Sequence, residues 1–391
     1  MIKRLLTSLL ILQTLSLFGQ APETAKSILS AAIQTLGGDS LLNNIHSLHY
    51  NAYAYRNAIE QSERPDGPFI FVPYKVEMHI DADRKRLVRS AAGHFFIFPD
   101  SVFAYSDTLS YAERNGSEFS LQIQDRMMQD ESAFSPLTLF YSALHAEHLR
   151  RQPDTILQHN PQQVISFNWH RYPARIFINR YTHFLTAYEL IKPYNDDYAN
   201  IWGDVRKMVY YSLWYLEKGG LHYPRQKDVY LNGWHYYAEI ITSLSINKPV
   251  VGMEIPDSIR RTNDQIESDR HSQYEKAISA RAREIKKGIW VIGGPCNTTL
   301  VEQEKGIVII EAAVSSEYAG LILNKAKALF PSRNIQAVIT TSDAWLHIGG
   351  LREFAAHQIP IYHLELNRFI INKLLTATYT SKPDAWEKMP G

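Results

Sequence analysis

Between residues 46 and 246, apolar and polar side chains alternate along one segment after another. A period of two is the spacing of β-strands that bury one face, and turn residues such as Asn232 and Gly233 separate the segments. The pattern predicts a large antiparallel sheet with one covered face. The predicted strands are residues 46–55, 74–80, 86–90, 164–169, 174–178, 184–191, 207–215, 222–231 and 234–246.

Two helices are predicted to accompany this sheet. Residues 22–45 have helical spacing that ends at Gly37 and Gly38, and residues 137–149 are expected to form a helix inserted among the strands. The first helix has one apolar face, made of Ile28, Leu29, Ala32, Ile33 and Leu36.

An opening helix that ends in LGG, many long strands and the stretch GGLHYPRQKDVYLNGWHYYAEIITSLSINKP follow one another in this chain. This arrangement resembles the half-barrel domain of bacterial periplasmic lipoprotein carriers and outer-membrane lipoprotein-sorting proteins, over about residues 22–256. The resemblance implies a curved sheet that, with its helices, encloses an apolar cavity for acyl chains.

The first twenty residues have the pattern of a secretory signal peptide. Lys3 and Arg4 precede an apolar run at 5–18, and the mature chain is expected to begin near Ala21. An uncleaved anchor is the alternative, although the run is short for a spanning helix. We therefore expect a periplasmic or secreted protein with no transmembrane segment after signal cleavage.

The cysteine content and the net charge limit which modifications and partners are expected. Cys296 is the only cysteine, so the sequence predicts neither a lipid-attachment site at the cleavage point nor an intramolecular disulfide. The formal net charge is +1, which gives no reason to expect nucleic acid as a partner. The mixed charges of residues 257–287 predict a solvated helical linker.

From residue 288 the pattern changes again. Strands are predicted at 289–293, 298–302, 306–311, 337–340 and 360–364, with helices at 316–329 and 350–357. Strands that first pair as hairpins and then alternate with helices indicate a layered α/β sheet. The whole chain is thus predicted to be α+β, with a signal peptide at 1–20, a half-barrel-like domain at 21–256, the linker, and a C-terminal domain at 288–391.

The stretch AVITTSDAWLHIGGL, residues 337–351, carries the motif that bears most on chemistry. It resembles the loop T-H-x-H-x-D-H-x-G-G of the metallo-β-lactamase superfamily, matching it at Thr341, His347, Gly349 and Gly350. The preceding GGPCNTTLVEQEKGIVIIEA is similar to that family's opening β-meander, with Glu311 in a structural position. Residues that cannot ligate zinc replace three of the family's ligands: Ser342, Ala344 and Leu346.

The resemblance implies the first half of an αββα fold with a reduced metal site for Zn²⁺. Asp343 and His347 are the remaining candidate ligands, four residues apart and therefore on one face of a helix. The alternatives are that Asp343 caps the following helix and that the His347 ring bonds backbone near Gly349. Cys296 is expected to be a small buried side chain, because a nucleophilic thiol needs a neighbouring histidine that the spacing does not indicate.

Two functions from different classes follow. The first is an exported metallo-β-lactamase-like hydrolase by descent, with a degenerate metal site and doubtful activity. The alternative is a non-catalytic periplasmic binding protein for a lipid-like or other apolar ligand. A shortened gene product is a third hypothesis, since half a fold exposes one side of its sheet and favours a homodimer. Asp196 and Asp197 are expected to lie in an exposed turn.

Overall fold

The structure is a computed structural model of the chain. It describes residues 23–57, 59, 67–81, 86–93, 101–106, 109–114, 117–119, 134–193, 202–249, 263–294, 296–312, 314–380 and 382–389. The predicted signal peptide, Asp196 and Asp197, and residues 257–262 of the predicted linker lie outside the described residues.

The dominant element is a 13-stranded sheet in which every neighbouring pair is antiparallel. Its strand order is β6-β5-β4-β3-β2-β1-β13-β12-β11-β10-β9-β8-β7. The strands are β1 (Ser47–Asn57), β2 (Phe71–Asp81), β3 (Arg86–Gly93), β4 (Ser101–Ser106), β5 (Leu109–Arg114), β6 (Ser117–Phe119), β7 (Glu147–Leu157), β8 (Asn160–Trp169), β9 (Tyr172–Asn179), β10 (Leu185–Pro193), β11 (Asp204–Leu216), β12 (His222–Leu231) and β13 (Trp234–Ile246). The predicted large, curved antiparallel sheet is therefore confirmed.

Alternation along these strands separates an inner from an outer face. On β1, Tyr50 and Ala52 are buried whereas Asn51 and Tyr53 are exposed. Successive side chains of a strand point to opposite faces, so a single residue of slip would turn the apolar set to solvent. The hydrophobic pattern thus fixes the pairing of β1 with β2 and β13.

Three short helices accompany the large sheet: α1 (Ala25–Leu36), α2 (Gly38–Leu42) and α3 (Leu139–Leu144). Thr24 caps α1 through a capping box with Ser27, and all five predicted apolar residues of α1 are buried. Gly37 ends α1 at a φ of 133°, where a Cβ would come within 2.4 Å of Leu41 Cδ2. The α1 prediction is confirmed, but α3 is shorter than the predicted helix at 137–149 because β7 begins at Glu147.

The C-terminal part builds a second, six-stranded sheet in the order β14-β15-β16-β17-β18-β19. Its strands are β14 (Ala282–Lys286), β15 (Ile289–Ile292), β16 (Thr298–Gln303), β17 (Gly306–Ile310), β18 (Ile335–Ile339) and β19 (Ile361–Tyr362). The last two pairings are parallel and the others antiparallel. Its helices are α4 (Asn263–Arg281), α5 (Ser316–Leu329), α6 (Trp345–Ile348), α7 (Leu351–Ala356) and α8 (Arg368–Thr376), with a 3-10 turn at Glu365–Asn367.

The end of the chain reaches back to the large sheet. The backbone N–H of Asp204, the first residue of β11, donates to the carbonyl of Thr378 at 2.7 Å. The ammonium of Lys373 lies 3.7 Å from the ring centroid of Trp234 and 4.6 Å from that of Trp202.

Nowhere in the described part of the chain is a helix both long and apolar enough to cross a membrane.

Candidate functional site: the inner face of the large sheet

The inner face of the large sheet surrounds a small cavity of about 40 Å³. Strands β1, β2, β10, β11, β12 and β13 contribute side chains to it, and the segment before α3 closes it. The residues that line it are mostly aromatic or aliphatic: Tyr50, Met78, Ile80, Phe134, Ser135, Pro136, Tyr188, Tyr211, Tyr223, Pro224, Lys227, Glu239 and Ile241.

Phe134 lies in the wall of this cavity, on the side that the segment before α3 closes. Its ring stacks on Tyr188 with centroids 4.6 Å apart and an interplanar angle of 18°, and its edge meets Trp169 at 5.4 Å. The Tyr211 hydroxyl donates to the Phe134 carbonyl at 2.9 Å, which fixes the backbone at this point. The Phe134 ring therefore closes the cavity, and we call it the plug.

One charged pair interrupts the apolar wall. Glu239 is 2% exposed, and its carboxylate accepts hydrogen bonds from the Tyr50 hydroxyl at 2.9 Å and the Tyr237 hydroxyl at 2.5 Å. The Lys227 ammonium lies 3.7 Å from the same carboxylate. A buried carboxylate requires such partners, so the group is a fixed polar spot in an apolar cavity.

A second concavity, of about 460 Å³, is larger but opens widely to solvent on β7 to β10. Polar and charged side chains dominate its lining, among them Arg150, Gln152, Arg175 and Glu189. Glu189 is bound by Arg175 and Arg206, so its charge is already neutralised within the protein. An apolar wall with a few convergent polar groups is the usual form of a ligand site, which favours the inner cavity.

Of the two predicted metal ligands in the C-terminal part, His347 lies in a network of hydrogen bonds around Glu311. Its carboxylate accepts from the Thr341 backbone N–H at 3.2 Å, from the Thr341 hydroxyl, and lies 2.8 Å from His347 Nδ1. Glu311 itself has a φ of 76°, in the left-handed region that non-glycine residues seldom adopt. These bonds join the end of β17 to the loop after β18.

Cys296 lies at the edge of this network, next to His347. Its sulfur lies 3.6 Å from His347 Nδ1, although 51 residues separate the two in sequence. Burial raises the pKa of the Cys296 thiol, and the negative charge of Glu311 raises it further. A histidine does lie beside the thiol, but a raised pKa is the opposite of what activates a nucleophile.

Both alternative roles predicted for the metal candidates are wrong. The residue before α7 is Gly350, with no side-chain cap, so Asp343 does not cap that helix; it is the Ser342 hydroxyl that accepts from the Ala344 N–H, at 3.1 Å. The His347 ring meets the Glu311 carboxylate instead of backbone near Gly349. The metal assignment of Asp343 and His347 is tested by none of these contacts and stays a prediction.

The first glycine of the pair in this loop, Gly349, has a packing reason. A Cβ built on Gly349 would lie 2.1 Å from the Val314 carbonyl oxygen, closer than any real contact. The backbone N–H of Gly350 donates to the Ala312 carbonyl at 2.7 Å. The glycine match to the metallo-β-lactamase loop thus reflects close backbone packing in this chain.

No family model matches the sequence, and no curated protein matches it. Among solved structures, a LolA superfamily protein from Nitrosomonas europaea is similar over 62% of this chain and 99% of its own, with 12% identity and a TM-score of 0.38. A domain described as an outer membrane lipoprotein-sorting protein, from Vibrio parahaemolyticus, is similar over 58% and 95%, with 7% identity and a TM-score of 0.37.

A third similarity is much shorter. The inverting sec-alkylsulfatase Pisa1 from a Pseudomonas species is 24% identical over 20% of this chain and 14% of its own, with a TM-score of 0.19. At TM-scores this low, none of the three similarities carries an argument about activity.

The description of this chain as a zinc-dependent hydrolase with a metallo-β-lactamase fold is corrected to this extent: no similarity that extends along a whole solved chain supports it. The structures that align along nearly all of their own length belong to LolA-like and lipoprotein-sorting proteins, not to hydrolases. Within the described residues, three side chains with metal-ligand atoms converge at His49, Glu77 and His79.

Sequence reasoning missed the residues of the inner cavity. Phe134, Tyr188 and Glu239 lie in different segments, and nothing in local spacing brings them together. The one available signal was Glu239, an acidic residue at an inward position of a strand with otherwise apolar inward neighbours.

Proposed function

We propose that this chain is an exported, non-catalytic binding protein that holds a lipid-like apolar ligand against the inner face of the large sheet. The observation that carries the proposal is the aromatic cavity closed by Phe134. Burial of an acyl chain there would gain about 25 cal/mol for each Å² of apolar surface removed from water. The lipoprotein-sorting role in the name of the Vibrio protein belongs to that protein and is not the basis of the proposal.

Binding requires the cavity to open. Ligand sites generally measure about 300–1,000 Å³, whereas this cavity measures about 40 Å³. Displacement of the Phe134 ring from its stack on Tyr188 is the change that would create space with the least disturbance of the sheet. The described structure thus corresponds to the closed form of the cavity.

The charged pair determines where the polar end of a ligand would lie. Lys227 and Glu239 lie in the wall of the cavity and are half-buried and buried respectively. A ligand with one polar group and an apolar chain would place the polar group beside this pair and the chain beneath Phe134. A fatty acid or lysophospholipid has this form.

The test is a titration of the mature chain, residues 21–391, with the fluorescent fatty acid cis-parinaric acid. We expect saturable binding, and a several-fold higher affinity in F134A because the plug is removed. The matched control is F71A, since Phe71 is 55% exposed. F134L, which retains most of the ring's volume, provides a check if F134A folds poorly.

Two results would reject the proposal. One is the absence of saturable binding by both the wild-type chain and a folded F134A or F134L variant. The other is an equal gain of affinity in F71A, which would place the probe outside the cavity.

Export and assembly complete the proposal. If residues 1–20 are removed on export, the protein from the periplasmic or secreted fraction should have the intact mass of a chain that begins near Ala21. A homodimer and the absence of nucleic-acid binding remain predictions that sedimentation and a gel-shift experiment would check.

A further inference from the structure

Three polar side chains converge on the outer face of the large sheet, away from the cavity. His49 lies on β1, and Glu77 and His79 lie on β2. His49 and His79 are directly opposite one another in the antiparallel register, and Glu77 is two residues from His79 on the same face. Their neighbours Tyr50 and Met78 point inward and line the cavity, so the cluster is separate from the proposed ligand site.

The three side chains present ligand atoms to a common point. Glu77 Oε1 lies 2.9 Å from His49 Nε2 and 3.4 Å from His79 Nε2. The two imidazole rings have centroids 4.3 Å apart and an interplanar angle of 31°. All three candidate ligand atoms lie within 4.8 Å of one another.

These distances suit a small metal ion. First-row divalent ions bind imidazole nitrogen and carboxylate oxygen at about 2.0–2.2 Å, which in a tetrahedral site separates ligand atoms by about 3.4 Å. The two histidines are held by paired strands and are about 15% exposed, whereas Glu77 is 49% exposed and free to adjust. Two rigid ligands and one adaptable ligand leave a further position open to water.

We propose that His49, Glu77 and His79 bind one divalent first-row transition-metal ion of the class that prefers imidazole, such as Co²⁺ or Cu²⁺. The ion replaces the hydrogen bonds that the two imidazoles share with the Glu77 carboxylate. Because its ligands come from both β1 and β2, the bound ion links the two strands and stabilises the centre of the sheet.

One nearby charge modulates this site. The positive charge of Lys248 is close enough to His79 to interact with it electrostatically. It opposes a second positive charge at the cluster, so K248Q is expected to bind metal more tightly than the wild-type chain.

The experiment is a titration of residues 21–391, purified without a histidine tag, with Co²⁺, followed by visible absorption and circular dichroism. We expect one equivalent to bind with d–d bands of nitrogen and oxygen coordination and to raise the Tm. H49N, E77Q and H79N should each weaken binding at least ten-fold. The control is H357N, because His357 also faces a carboxylate, Glu353, at 3.3 Å but lacks a third partner.

Either of two results would overturn the proposal. The first is the absence of saturable one-equivalent binding by the wild-type chain. The second is an affinity that is unchanged in H49N and H79N variants whose circular dichroism shows a folded sheet, or that falls equally in H357N. Fatty-acid binding is measured separately, so a failure here leaves the cavity proposal unaffected.

Discussion

The large sheet and the C-terminal sheet use polar and apolar groups in opposite ways. In the large sheet, side chains from distant strands converge on a space that one aromatic ring, Phe134, closes. In the C-terminal sheet, the polar side chains of the predicted metal loop converge on one another, and Glu311 binds Thr341 and His347 directly. We propose that the first arrangement admits a ligand when the Phe134 ring moves, whereas the second stabilises a loop through hydrogen bonds to Glu311.

The difference also shows what a motif match can and cannot mean. Gly349 is required because the backbone approaches Val314, and His347 is held by a carboxylate at the end of β17. Each has a structural reason that needs no metal. A match to a catalytic motif can thus have packing reasons beside any chemical one.

The largest expected effect concerns the anchoring of the C-terminal part. Arg352 is fully buried, and its guanidinium binds Asp384 at 2.6 Å and the Ala377 carbonyl at 2.8 Å. R352A leaves these groups buried without a partner, so we expect the free energy of unfolding to fall by about 4 kcal/mol. Urea denaturation measures this.

The matched control for R352A is R333A. Arg333 is 41% exposed and pairs with Glu302, and such a surface pair contributes less than about 1 kcal/mol. If the two variants lost equal stability, the C-terminal part would not depend on its buried arginine, and the contrast between the two regions would weaken.

The second prediction concerns the stability of the plugged cavity. F134A removes a fully buried ring from the large sheet and should cost about 3 kcal/mol in the absence of ligand. Saturating fatty acid should restore part of this loss, because ligand binds the folded state only. Thermal unfolding with and without ligand measures both effects, and a loss that ligand leaves unchanged would contradict the account.

The third prediction separates packing from chemistry in the C-terminal loop. G349A places a methyl group against the Val314 carbonyl and should destabilise the protein by about 2 kcal/mol. Fatty-acid affinity should not change, since the loop belongs to the other sheet. G219A is the control, because open space surrounds Gly219, although its positive φ makes a small loss expected there too. An altered affinity in G349A would show that the two regions are coupled.

The smallest expected effect concerns the thiol of Cys296. Burial is the main cause of the raised pKa of the Cys296 thiol, and the negative charge of Glu311 is the second cause. E311Q should therefore lower this pKa and increase the thiolate fraction near pH 8. Alkylation by iodoacetamide should then accelerate a few-fold, and the rate should rise with pH in both proteins. A rate that is the same in E311Q and the wild-type chain would show that Glu311 does not act on the thiol.

Local periodicity predicted the parts of the fold that bury one face. The helix α1 and the strands from β8 to β13 have regular apolar spacing, and the structure confirms them. Strand β14 was missed and placed in the charged linker, because all but one of its five residues are exposed at a sheet edge and show no alternation. Apolar and polar residues alternate regularly in strands that bury one face against the core, and only such strands can be predicted from the alternation.

The candidate sites were beyond local reasoning for a different reason. His49 and His79 are 30 residues apart and meet only through the register of β1 and β2. The contact between Cys296 and His347, and the one between Phe134 and Tyr188, likewise depend on how separate elements pack. Such contacts follow from tertiary structure, which one sequence does not reveal.

The most direct test of the account is photo-crosslinking with a diazirine-bearing fatty acid, followed by peptide mapping of the labelled protein. The account predicts label on inward residues of the large sheet, among them Tyr50, Phe134, Tyr188 and Tyr211, and competition by unlabelled fatty acid. Label confined to outward residues such as Tyr53, to the C-terminal sheet, or insensitive to competition would contradict it.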